Sequence, residues 1–469
     1  MLREAETIDI DLPLLRVIGG IADERGLEAY VVGGYVRDRL LGREDADVDV
    51  MVVGDGVAFA RAAAAALGRS GVVAFEEFGT AIVPLERGKV EFVGARSEQY
   101  RNGSRNPEVR AGTLQEDLTR RDFTVNAMAV SLNAGRLGTL LDPLGGQADL
   151  RRRLLRTPLD PSRTFEDDPL RIMRAARFAS QLDFSIDEQA LKAMGGMAER
   201  LKIVSQERIT EEFLKIVGSP SPSVGLKLLF QTGVLRIVFP EVAQLAGVDQ
   251  RKDHHHKDVF LHTCIVVDNV ARASTNLWLR FTALMHDIAK PRTKAYKEGI
   301  GWTFHGHEEL GARMMRRIFQ RMKLPLDPLP YVEKLIRLHL RPMVLVDDAI
   351  TDSAVRRLIF DAGDAIDDLM ILCRADITSK NPHLVAKYLK NYDLVVRKIA
   401  EVEERDRLRN WQPPVRGDEI MAMFGLPEGK PVGILKKAVE EAILDGIIPN
   451  EHGAAVEFLR SRKQEILGF

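Results

Sequence analysis

The sequence predicts an α+β, multidomain protein in which an α/β head precedes an all-α remainder. Three observations carry that expectation. The stretch Tyr30–Gly54, YVVGGYVRDRLLGREDADVDVMVVG, reads as strand, glycine turn, helix, loop and strand. From Leu12 to about Leu150 helical and strand-like periods alternate, the pattern of a sheet covered by helices on one side. Beyond Leu150 strand patterns stop almost completely and helical periods dominate.

Taken in order, an amphipathic helix near Leu14–Arg25 precedes a strand at Tyr30–Val32, a helix near Val36–Leu41, a strand at Val48–Val53 and a helix at Val57–Leu67. Strand-like pieces follow at Ala81–Leu85 and Val90–Val93, and helices take over from Pro169–Leu182. Pro and Ser break the helical period at Gly218–Ser223 (GSPSPS), as Trp411–Pro414 (WQPP) does further on. A chain of 469 residues with 45% hydrophobic composition is long enough for several cores. The expected segments are a head at 1–150, a neck at 151–222, a helical body at 223–395 and a helical tail at 396–469.

Charge and cysteine usage narrow the setting. Formal net charge is -1, from 67 Lys+Arg against 68 Asp+Glu, so a nucleic-acid partner must meet a local patch rather than an overall basic field. Two cysteines, Cys264 and Cys373, cannot build a disulfide framework and agree with a reducing compartment. The acidic N-terminus lacks the n- and h-regions of a signal peptide. Apolar runs such as Val57–Leu67 fall short of the roughly 20 residues needed to span a bilayer. A cytoplasmic protein with no membrane partner is expected.

The opening stretch also carries chemistry. Asp47 and Asp49 lie two apart at the start of an apolar strand and therefore share a face, close enough to share a pair of Mg²⁺ ions for an in-line phosphoryl displacement. Gly33 and Gly34, between strand and helix, let backbone approach a triphosphate, and Arg37 on that helix can grip phosphate as a planar fork. Glu91 on a nearby strand is either a third acidic contributor or an outward-facing strand residue.

GGYVRDRLLG with DVD resembles the catalytic head of the DNA polymerase β-type nucleotidyltransferases, in particular the bacterial class II tRNA nucleotidyltransferase/poly(A) polymerase family. Further motifs occur in that family's order: RRDFTVNAMA at Arg120–Ala129, DPLGGQADL at Asp142–Leu150, FEDDPLRIMRAARF at Phe165–Phe178 and QERITEEF at Gln206–Phe213. The resemblance implies a polymerase β-like head, a two-metal reaction with CTP and ATP, and tRNA as partner. It also implies that Arg121, Asp122 and Asn126 meet the sugar and the triphosphate.

Asp168 and Arg171 have a reading of their own. Pro169 belongs in a first helical turn, so Asp168 stands at or near the N-cap with Arg171 three residues on. Cytosine and adenine share an exocyclic amino donor beside a ring-nitrogen acceptor; uracil and guanine present the reverse. A carboxylate that accepts and a guanidinium that donates would take C and A and reject U and G. The family's protein template lies at this place, with Glu where this chain has Asp167. Arg174 and Arg177 continue near that face, and with Arg151, Arg152, Arg153 and Arg156 they make a track for tRNA phosphates.

Eight of the ten histidines lie between His254 and His339. His286 and Asp287 follow the apolar run LWLRFTALM, with His262 upstream and Asp376 downstream. Imidazole and carboxylate on packed helices can hold a divalent transition metal. The order resembles the HD-domain phosphohydrolases, some of which add ligands at the places of His307 and His339. In relatives with such a domain, phosphatase or cyclic phosphodiesterase activity accompanies nucleotide addition.

Addition of the full CCA to the tRNA 3′ end is the expected function. The segment Arg96–Val109, shortened in partial CC-adding relatives, is undeleted here. A poly(A) polymerase or a partial CC- or A-adding enzyme shares most of these motifs. From a different class, an HD phosphohydrolase with an RNA-binding head would not need paired metal carboxylates.

Overall fold

The computed structural model describes residues 7–10, 12–43, 47–76, 79–86, 88–99, 108–248, 258–299, 301–347, 351–379, 381–406 and 411–468. The run His254–His256 and positions 100–107 of the undeleted segment lie outside these residues. The chain divides into two compact units, Met1–Phe239 and Pro240–Phe469.

The first unit is built on a seven-stranded mixed sheet. Its strands are β1 (Ala29–Val32), β2 (Asp47–Val52), β3 (Val73–Phe75), β4 (Thr80–Pro84), β5 (Lys89–Gly94), and, beyond the separate pair β6 (Arg96–Gln99) and β7 (Glu108–Ala111), β8 (Ala129–Ser131) and β9 (Leu140–Leu141). Their order is β3-β4-β5-β2-β1-β8-β9. Only β2 and β5 run parallel, which brings Asp47 beside Lys89 and Asp49 beside Glu91.

Both faces of the central strands are covered, not one. On one face Phe59 of the helix Gly56–Ala66 meets Phe92 edge-on at 5.9 Å. That helix starts where Asp55 accepts from the amides of Val57 and Ala58. Gly56 permits the close seat: a Cβ there would stand 2.4 Å from the Gly94 amide nitrogen. On the other face Tyr30, Val32 and Met51 pack with Leu118 of the helix Leu114–Thr119. That short helix is invisible to a search for long helical periods, yet it closes the second face. Each buried side chain of this size contributes about 1.5–3 kcal/mol, so the sheet is well supported beneath Asp49.

Behind the sheet, the helix Leu170–Leu182 packs on Gln206–Val217 and Pro222–Gln231. The break at Gly218–Ser223 separates the last two helices, and both stay in the first unit. Phe178 meets Phe123 edge-on at 5.9 Å, tying this layer to the segment that follows Asp122.

The second unit is helical among its described residues except for one hairpin, Ala295–Lys297 with Gly301–Thr303. Its strands are three residues long, too short for a period-two pattern to stand out. Phe281, Phe319 and Trp278 form an aromatic cluster in this unit. The helices Gly417–Phe424, Lys430–Leu444 and His452–Leu467 share a core of Ile420, Leu435, Val439 and Leu459. Among the described residues no helix is long and apolar enough to cross a membrane.

Candidate active sites

In the head, β2 delivers Asp47 at its exposed first position and Asp49 two residues on, on the same face. Parallel pairing sets Glu91 beside Asp49. Burial and Glu91 push the Asp49 carboxyl up to about 6, against Arg121 and Lys89, which favour the anion. A carboxylate held where its own charge is unfavourable is a fit for a divalent cation. Glu91 thus faces the pair, whereas strand alternation alone left its face open.

Gly33 brings Arg121 and Asp49 together on the other side of this site. It holds φ 72, and a Cβ there would lie 3.0 Å from Arg121 Nη1 and 3.4 Å from Asp49 Oδ2. Gly34 opens the helix Gly34–Leu40 that carries Arg37. Arg121 is aimed from below: its Nε and Nη2 donate to Asp117 Oδ2 at 3.2 and 3.0 Å, and Nη1 donates to the Asn126 carbonyl at 3.4 Å. Arg120 donates to the other Asp117 oxygen at 3.1 Å. Burial alone would raise the Asp117 carboxyl, but Arg121 and Arg120 more than offset it and hold it low. Asp117 was missed in the sequence, where it reads as an ordinary helix carboxylate.

Arg37, Asp122, Asn126, Arg174 and Arg177 form a buried web. Arg37 donates to Asp38 at 2.9 and 2.6 Å and to Asn126 Oδ1 at 2.8 Å. Asn126 donates to Asp122 Oδ1 at 3.0 Å, and Arg174 Nε donates to Asp122 Oδ2 at 2.8 Å. Burial opposes the charge on Asp122, yet Arg174 and the Asn126 amide outweigh it and hold the carboxyl well below the usual range. Arg177 pairs with Glu212 at 3.1 Å. Arg37, Arg174 and Arg177 all face the Phe178 ring, at 5.2, 5.4 and 4.3 Å from its centroid. These side chains bind one another, and Asp38, Glu212 and Phe178, which lie inside the quoted motifs, are partners to which the sequence reading gave no role.

The helix beginning at Leu170 has Pro169 as its N-cap, and Asp168 Oδ1 accepts from the Leu170 amide at 3.1 Å. Arg171 spends two of its five N–H donors on the carbonyls of Thr164 and Arg120, at 3.3 and 2.6 Å. Asp168 Oδ2 faces Arg208 at 3.5 Å, a cation that the sequence pattern did not single out. Of the basic run at 151–156, Arg156 is bound to Asp149 at 2.8 Å and Arg153 lies 3.5 Å from Asp183.

In the helical unit, six side chains from five helices converge. His262 lies within Val259–Ala273, while His286, His307, His339 and Asp376 stand at the ends of helices, with Asp287 following His286. Ligand atoms of His262, His286 and Asp376, and of Asp287, His307 and His339, lie within 4.8 Å of one another in each set. Asp287 joins the sets, its oxygens 3.2 Å from His286 Nε2 and 3.3 Å from His307 Nε2.

The rings are oriented from outside. Nδ1 of His286, His307 and His339 donates to the carbonyls of Ala283, Phe304 and Ile336 at 2.7, 2.7 and 2.6 Å, and His262 Nδ1 meets Thr378 Oγ1 at 2.8 Å. Nε2 of His286, His307 and His339 is buried and makes no well-directed hydrogen bond, with Asp287 oxygens near the first two. Such fixed tautomers with orphaned inward nitrogens fit a metal centre. With protons alone, burial disfavours a charged His286, but Asp287 overcomes it and pushes the ring up to about 10. Burial and the neighbouring His286 push His339 down to about 4, leaving its Nε2 a neutral acceptor. Lys290 Nζ, 2.7 Å from Asp287 Oδ2, was missed although it lies one helical turn on.

Fold and sites together define a nucleotidyltransferase joined to a histidine-rich helical unit. The model described as "Poly A polymerase head domain" matches residues 29–156, "Probable RNA and SrmB- binding site of polymerase A" matches 183–245, and "HD domain" matches 259–381. The chain is 34% identical over 441 residues to an A-adding tRNA nucleotidyltransferase of Deinococcus radiodurans, covering 92% of this chain and 95% of that protein. It is 31% identical over 448 residues to a CC-adding tRNA nucleotidyltransferase of Thermus thermophilus, covering 91% and 92%. A Multifunctional CCA protein of Vibrio parahaemolyticus is 32% identical over 75% of this chain and 85% of its own. A solved Bacillus stearothermophilus CCA-adding enzyme in complex with CTP has TM-score 0.65 at 24% identity, over 97% of this chain and 100% of that one. The chain belongs to the tRNA nucleotidyltransferase/poly(A) polymerase family and carries an HD domain.

Proposed function

We propose that this enzyme adds the full CCA to the tRNA 3′ end from CTP and ATP. The convergence of Asp49, Glu91, Gly33 and Arg121 is the observation that carries the reaction. The tRNA 3′-hydroxyl oxygen bonds to the α-phosphorus, the bond to the β-phosphate side breaks, pyrophosphate leaves, and the hydroxyl proton passes to solvent. Asp47, Asp49 and Glu91 would hold Mg²⁺, which when bound supplies Lewis-acid stabilisation of the transferring phosphoryl group. Arg121, aimed by Asp117, meets the triphosphate, and the Arg37–Asn126–Asp122–Arg174 web keeps that side rigid. Asp168, with Arg171 behind it, selects the base, and Arg208 sets the carboxylate's direction.

Addition of A alone is the second reading, favoured by the near end-to-end match to the A-adding relative. Transcripts ending before CCA and transcripts ending in CC, each incubated with CTP, ATP and Mg²⁺, separate the two. Extension of both by the missing bases supports CCA addition; extension of the CC-ended transcript alone supports A addition. Long A tails would mean a poly(A) polymerase, and no extension at all would sink the transferase reading. Asp168→Ala should relax discrimination against UTP and GTP by about 10-fold or more, read as kcat/KM for each NTP; unchanged selectivity would remove Asp168 from base choice.

The six-residue helical centre would hold one or two divalent transition-metal ions, which when bound supply an activated water. We assign it hydrolysis of a phosphate ester: the water oxygen bonds to phosphorus, the ester bond breaks, and the leaving oxygen takes the proton. Cys264 and Cys373 are both buried thiols outside any disulfide, which supports a cytoplasmic setting.

A further inference from the structure

We propose that the hairpin Ala295–Lys297/Gly301–Thr303 is a base-stacking platform for the histidine centre, so that its phosphate ester arrives on an unpaired nucleotide; this rests on reading that centre as a metal-dependent phosphoesterase. Tyr296 and Trp302 are direct cross-strand partners. Their rings meet edge-on at 5.3 Å, and both remain exposed, at 49% and 40%. The hairpin's other side is anchored by the buried Thr303, whose hydroxyl donates to the Ala295 carbonyl at 3.1 Å. Two large aromatics thus stand together on the open side of this hairpin.

Covalent and spatial links join this open side to the centre. The chain enters from Lys290, 2.7 Å from Asp287, and leaves through Phe304, whose carbonyl accepts from Nδ1 of the ligand His307. Lys290 Nζ lies 5.6 Å from the Phe304 ring. Trp302 is two residues before Phe304, a spacing of about 7 Å along an extended chain. Trp302 is thus tied to the centre through Phe304 and His307.

Charge selects the occupant. Lys290, Arg292, Lys294 and Lys297 flank the aromatics against one acidic residue, Glu298. Lys294 Nζ sits 4.4 Å from the Trp302 ring centroid, where it can meet a phosphate while a base lies on the indole. Aromatic faces beside cations suit single-stranded nucleic acid, because every base has a π-face.

The test uses the full chain loaded with Mn²⁺ and the probe 2-aminopurine riboside 3′-monophosphate, whose fluorescence is quenched on stacking. Wild type should quench it. Trp302→Ala should lose the quenching and bind the probe about 10-fold more weakly, with Trp302→Phe restoring most of both, and Mn²⁺ content should match wild type. Where turnover is seen, KM for the nucleotide should rise relative to glycerol 2-phosphate, which has no base. Unchanged quenching in Trp302→Ala overturns the platform, as does a parallel loss of Mn²⁺, which would make Trp302 structural. If neither ester is hydrolysed but quenching still depends on Trp302, the platform stands and the phosphoesterase reading falls.

Discussion

The two acidic centres of this chain solve the same electrostatic problem in opposite ways. In the head, Asp47, Asp49 and Glu91 stand on adjacent parallel strands with only Asp47 exposed, and the nearby cations are protein side chains, Arg121 and Lys89. In the helical unit, His286 and Asp287 are each 1% exposed and His339 is 4% exposed, with imidazoles supplied from helix ends. An oxygen-only donor set would suit a hard cation such as Mg²⁺, and a nitrogen-rich set would suit a transition metal.

The sharpest way to break that contrast is a crossed pair of variants. Asp49→Asn should lower nucleotide addition by at least about 1,000-fold while leaving transition-metal content intact, read by primer extension and elemental analysis. His286→Ala should do the reverse. Loss of both properties in either variant would mean that the centres are not independent.

The support beneath the head is tested by Asp122→Ala. It leaves Arg174 without its buried partner and should cost about 3–5 kcal/mol in denaturant unfolding. Because the Asp122 carboxyl is depressed in the folded state, its contribution is full above the ordinary aspartate range and is lost as pH falls through the folded value. Wild type should therefore lose stability in acid more steeply than the variant.

Proton competition gives a smaller effect at the helical centre. His286 holds a proton up to about 10 when only protons are available, so each unit of pH from 6 to 8 should raise Mn²⁺ affinity by up to about 10-fold, measured by calorimetry. A flat profile would mean that this ring does not ligate. At the head, Asp49 is raised to about 6, so half-saturating Mg²⁺ for addition should fall by about 3–10-fold from pH 5.5 to 7 and change little above that. A flat response there would remove Asp49 as the titrating ligand.

Motif residues were more legible than their partners. Gly33, Asp47, Asp49 and the histidine set are visible because turn chemistry, strand alternation and ligand type leave local marks. Asp117, Glu212, Arg208 and Lys290 are not, since a surface helix carries the same residue types. Glu91 was open between two faces until pairing with β2 decided it. Coverage of the second face by Leu114–Thr119 and the hairpin at 295–303 escaped because both are shorter than the windows in which periodicity speaks.

By itself the sequence determined the strand–glycine–helix–strand core, the paired carboxylates, the Asp168–Arg171 spacing and the histidine order, all properties of short stretches whose backbone geometry dictates which side chains share a face. Only the tertiary structure decided that Glu91 joins Asp49, that Arg121 reaches Gly33 through Asp117, and that His262, His286, Asp287, His307, His339 and Asp376 meet with their Nδ1 atoms turned outward. Those meetings depend on strand pairing and helix packing between residues far apart in the chain, and burial, which shifts the charge state of Asp49 and His339, belongs to the packed molecule and not to any segment of it.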